Sequence, residues 1–125
     1  MIATRKISET ILDFGNSVFQ SLPEDTTKLQ FEAAARVVVC AWNAVVLDTW
    51  HNTDKYEKSL LITLVEEPKE MQLIMRHLIK RKKKKFSNDP RAVGHYEIIN
   101  RGGELIFRAE ARGDVKDMQG YEVVQ

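Results

Sequence analysis

Residues 33–47, AAARVVVCAWNAVVL, are apolar except at Arg36 and Asn43. In a helix these two positions, seven residues apart, share one narrow stripe, with Glu32 one turn before Arg36 as an ion-pair partner. Every other direction around the axis is apolar, and such a helix is enclosed by other elements, meets a second subunit, or enters a membrane. The run is shorter than the roughly 18 residues of a bilayer span and carries a charge, so enclosure in protein is expected. The clustered valines leave a buried strand open as the alternative. Extended over 27–50, the helix would be about 36 Å long, against a radius of gyration of about 14 Å for a chain of this size, and would act as a spine. Thr27 and Gln30 have the spacing of a capping box at its start.

On either side the pattern changes to amphipathic. Ile7, Ile11, Phe14, Val18, Phe19 and Leu22 recur at helical spacing, which predicts a helix over 6–22 that covers the spine. Gly15 and Asn16 weaken it by up to about 1 kcal/mol each and mark either a close helix crossing or a soft spot. After a polar loop following Trp50, Asp54 and Glu57 can open a further helix. Within 59–65 the apolar positions fit both a helical face and an alternating strand, and the reading leans to helix. From Pro68 onward Met71, Ile74, Met75, Leu78 and Ile79 follow i, i+3, i+4, i+7, i+8, with acidic residues at the start and basic residues at the end, as the helix dipole prefers.

The segment 86–94, FSNDPRAVG, has turn composition. Beyond it, HYEIINRGGELIFRAEAR predicts a β-hairpin turning at Gly102-Gly103. That register sets Glu97 opposite Arg108, Arg101 opposite Glu104, His95 opposite Glu110 and Ile98 opposite Phe107; a turn one residue earlier loses the charge pairs. Tyr96, Ile98, Leu105, Phe107 and Ala109 then form one apolar face to be buried on the helices, while Ile99 and Ile106 make an outward apolar pair. These elements predict an α+β, mainly helical fold: a long central apolar helix, flanking amphipathic helices and a C-terminal β-hairpin. Residues 1–112 form the single globular domain, and 113–125 a tail with a short strand over 121–124 or none.

Composition adds that the chain is globular, with 43% hydrophobic and 30% charged residues among 125. Its single cysteine, Cys40, lies in the apolar run, so it reads as a buried, inert thiol, which suits a cytoplasmic protein. No export signal or anchor is expected. Charge changes the picture more. Seven of the nineteen Lys and Arg residues, Arg76, Lys80, Arg81, Lys82, Lys83, Lys84 and Lys85, lie in 76–85, leaving 12 basic against 18 acidic residues, a net −6, elsewhere. Such a cluster can face nucleic acid, an acidic protein or a negatively charged membrane surface, but a solvated helix end favoured by its dipole explains the same residues and is the first reading of them. Without interleaved aromatics it implies contact independent of base sequence. Replacing Lys82, Lys83 and Lys84 by Gln is expected to leave folding intact.

Catalytic signals are weak. His51, His77 and His95 have no partner at diagnostic spacing, and Asp48, His51 and Asp54 form an unspecific metal pattern. Paired-cysteine, phosphate-loop and nucleophile-elbow motifs are absent from the sequence. No catalytic, cofactor or metal residues are therefore assigned. The sequence points first to a non-enzymatic interaction or assembly module that self-associates away from membranes. Next comes a basic accessory protein binding nucleic acid through 76–85, and third an enzyme or ligand-binding protein with a dispersed site.

Overall fold

The computed structural model describes residues 6–112, so the expected tail strand over 121–124 lies outside the described residues. Five helices and one hairpin follow in order: α1 (Ile7–Phe14), α2 (Asn16–Phe19), α3 (Lys28–His51), α4 (Lys55–Thr63), α5 (Lys69–Lys85), β1 (Ala92–Arg101) and β2 (Glu104–Arg112). This is the α+β, mainly helical architecture expected from the hydrophobic pattern.

The spine is α3. Its capping box forms: Thr27 Oγ1 accepts from the Gln30 N–H at 3.2 Å, and the Thr27 N–H donates to Gln30 Oε1 at 2.9 Å. The helix ends at Asn52, whose left-handed backbone (φ 50°) turns the chain back. From Val38 to Asp48 every residue is buried, by elements of the same chain. α4 and α5 pack along one side of α3 and the hairpin along another, with α1 against β2. Counted over its 24 residues, α3 reaches the length and apolarity of a membrane span, beyond the shorter run read from sequence. More than half of that apolar window is buried inside the protein.

The expected first helix is divided at Gly15. A Cβ there would lie 2.6 Å and 2.8 Å from the two γ-carbons of Val38, so α1 and α2 cross α3 where only glycine fits. Residues 59–65 are helical through Thr63, as α4. The donors at the start of α4 are satisfied from an unexpected place. Asp48, buried on α3, accepts from the N–H groups of Tyr56 (2.9 Å) and Glu57 (3.0 Å), while Asp54 pairs with Lys58 at 2.9 Å.

The hairpin has the register set by its charges: Glu97 faces Arg108, Arg101 faces Glu104, His95 faces Glu110 and Ile98 faces Phe107. Gly102 (φ 62°) and Gly103 (φ 88°) supply the left-handed turn. Ile98, Phe107 and Ala109 are buried on the helices, Tyr96 and Leu105 partly so, and the opposed Ile99 and Ile106 are half-buried. β1 begins at Ala92, inside the segment whose composition predicts a loop. Asn43 explains this: its Nδ2–H donates to the Val93 carbonyl (3.0 Å) and its Oδ1 accepts the Val93 N–H (2.8 Å), as a neighbouring strand would. Each bond left unmade there would cost about 1–3 kcal/mol. The other strand is tied by Ser8, whose Oγ donates to the Ala109 carbonyl (3.2 Å) and accepts its N–H (2.8 Å). Both strands are thereby bonded to helices.

Candidate polyanion-binding face

The lysine-rich end of α5 meets the centre of the core. Phe14, Trp42 and Phe86 pack edge to face at centroid distances of 5.2, 5.7 and 5.7 Å, joining α1, α3 and the residue that follows α5. The helical period sorts the basic residues around this trio. Met75, Leu78 and Lys82 continue one stripe at i, i+3 and i+7, and that stripe faces α3.

Lys82 is therefore not part of an exposed cluster. It is 2% exposed, its Nζ lies 4.1 Å from the Trp42 ring centroid, and it donates to the carbonyls of Phe86 (2.6 Å) and Asp89 (2.8 Å). Burial lowers its pKa to about 8, with the Arg91 charge acting the same way and Asp89 opposing. Arg81 is structural too. Its guanidinium donates to the Phe14 (3.0 Å) and Asp13 (3.2 Å) carbonyls at the end of α1 and lies over the Phe86 ring at 5.4 Å. Lys83 reaches Glu57 at 2.6 Å, a carboxyl whose pKa is raised by burial and by nearby Asp48 against the pull of Lys83. Two corrections follow: Lys82, though it borders the cleft beside Trp50, is spent on two carbonyls and the Trp42 ring rather than presented as a free surface cation, and replacing it with Gln would disturb the core contact that holds 86–89.

The remaining basic residues, Arg76, Lys80, Lys84 and Lys85, are exposed, and among the described residues none of them forms an ion pair. His77, Lys80, Arg81, Lys84 and Lys85 line one shallow groove of about 280 Å³. Arg76 stands four residues before Lys80 on the same helix, one turn from the groove.

A second depression, a cleft of about 430 Å³, opens where the last turn of α3 passes the segment after α5; Val46, Trp50, Lys83, Ser87 and Pro90 are among its walls. Asp89, also in its wall, is held by Arg91 through bonds of 2.6 and 2.9 Å. Sequence reasoning missed Trp50 here, because only the fold brings it to the lysines 33 positions later.

The other sequence candidates do not converge. Asp48 caps α4, Asp54 pairs with Lys58, and His51 packs its ring on Tyr56 at 5.8 Å. Among the described residues no group of three His, Cys, Asp or Glu side chains is placed to hold a metal ion. Cys40 is buried, and desolvation pushes its thiol up to about 11, with Arg36 opposing, so it is a poor nucleophile.

The fold thus defines a small helical α+β protein with a cationic groove on one helix end. No protein-family model, no curated protein and no solved structure matches the chain.

Proposed function

We propose that the protein is a non-enzymatic binding module whose α5 face takes a phosphate-bearing polyanion, nucleic acid, without reading its base sequence. The observation that carries this is the gathering of His77, Lys80, Lys84 and Lys85 at one groove, with no acidic partner for the three lysines among the described residues. Phosphate neutralisation by surface ammonium groups supplies affinity that falls with salt. A cytoplasmic setting fits the lone buried thiol.

This reading moves ahead of self-assembly, the first expectation from sequence, because residues 38–48 are enclosed by the chain's own elements and need no partner. Assembly stands as the second reading, favoured by Ile62 and Val65, which are 69% and 67% exposed.

The test uses Lys80, Lys84 and Lys85 changed together to Gln, which nearly preserves helix propensity and avoids Lys82. Binding of the unmodified protein to duplex DNA is expected to weaken steeply with salt, and the variant's log-log slope to flatten by about 0.9 for each phosphate contact removed. An unmodified protein with no affinity at low salt, or a variant with an unchanged slope, overturns the proposal.

A further inference from the structure

We infer that the nucleic acid taken by this protein is single-stranded, with an unstacked base lying on Trp50 while its flanking phosphates meet the α5 lysines. The inference rests on the reading of α5 as a phosphate-binding face. A lysine run with no aromatic in sequence implies phosphate contact alone, but the fold supplies the missing ring. Trp50, on the last turn of α3, shares a cleft with Lys83. Lys83 lies at i+3 from Lys80 on α5, so a lysine of the same helix stands at the cleft while Lys80 and Lys84 stand at the shallow groove.

The two tryptophans have opposite environments. Trp42 is fully enclosed and donates from Nε1 to the Arg91 carbonyl at 2.7 Å. Trp50 is 52% exposed, and its Nε1–H is directed to the Pro90 carbonyl at 3.5 Å. An indole oriented by its N–H edge and otherwise half open to water is a ready stacking platform, since every base has a π-face. Val46 and Pro90 add apolar wall, and the cleft is roomy enough for one base. In a duplex the bases are stacked on each other and their faces are closed to a surface indole, so only a single strand, or a frayed end, uses the ring. The nearby acidic groups are already engaged: Asp89 on Arg91, and Glu57 on Lys83, where an incoming phosphate would share the ammonium.

The experiment titrates the full chain with oligothymidine and with the corresponding duplex at low salt, reading tryptophan fluorescence and affinity together. Trp42 is sealed, so quenching reports on Trp50. Expected are quenching by oligothymidine, tighter binding of the single strand than of the duplex, and about a tenfold loss of single-strand affinity in Trp50→Leu with duplex affinity unchanged. Trp50→Phe, which keeps a ring, should recover most of the loss, and unchanged thermal unfolding of both variants shows that the fold is intact. Equal affinity for both forms without quenching overturns the single-strand inference and leaves the phosphate-binding face standing. No binding of either form overturns the reading of α5 itself.

Discussion

At the scale of single residues, Lys82 carries the most information. Its ammonium sits in a buried position, satisfied by two carbonyls and an indole face rather than by a directly paired carboxylate. Burial disfavours its charged form, so its folded pKa of about 8 lies below the ordinary 10.5. Below about pH 8 the group is protonated in both states and the penalty on the folded state is fully present; between there and 10.5 the unfolded chain binds the extra proton, so this group's contribution to stability rises with pH. The difference in unfolding free energy between the unmodified protein and Lys82→Met should therefore increase across that interval, as measured by chemical denaturation at a series of pH values. A difference that is flat or falls would mean that the carbonyls and Trp42 hold the charge at no net penalty. The position was legible in principle. Met75, Leu78 and Lys82 share a stripe, but a run of like charges hides a helical period that alternating residue types would reveal.

At the scale of elements, the hairpin and the spine were the most readable, because each has redundant signals. Charge pairs and a Gly-Gly turn select one register, and a capping box marks where α3 begins. The caps and ties between elements were not readable. Asp48 serves α4 and Asn43 serves β1 through contacts made only after folding, and nothing local distinguishes them from other polar residues on a helix. Gly15 lies between these cases: its two sequence readings, close crossing or soft spot, are decided by Val38. Its φ of −91° is open to any residue, so the constraint is steric rather than conformational. Gly15→Ala should destabilise the protein by about 1–3 kcal/mol through overpacking, and Val38→Ala in the same chain should recover part of the loss. Thermal unfolding of the two single variants and the double variant measures the coupling; additive effects would show that α1 and α3 do not meet as described.

At the scale of the whole molecule, two surfaces of opposite character share α5. Its C-terminal end is cationic, whereas its start adjoins the α4–α5 turn, where exposed Ile62 and Val65 are bordered by Glu66, Glu67 and Glu70. The Val65 N–H bonds to the Ile62 carbonyl at 3.2 Å, so these two side chains belong to one turn. A twofold dimer through this turn would bring the apolar pair of each copy together, but it would also bring the two acidic rims into proximity. Apolar burial drives such a contact and charge repulsion opposes it, and only the repulsion is screened by salt. If the assembly reading holds, the dimer should strengthen as salt rises, the reverse of polyanion binding, which loses counterion release. Sedimentation of the unmodified chain across a salt series is expected to show growing dimer, and Ile62→Ser with Val65→Ser should hold the protein at its monomer mass of 14.4 kDa throughout. A 14.4 kDa particle for the unmodified chain at every salt concentration removes the assembly reading, and it leaves the nucleic-acid reading untouched, because the apolar turn and the cationic end of α5 would act through different forces.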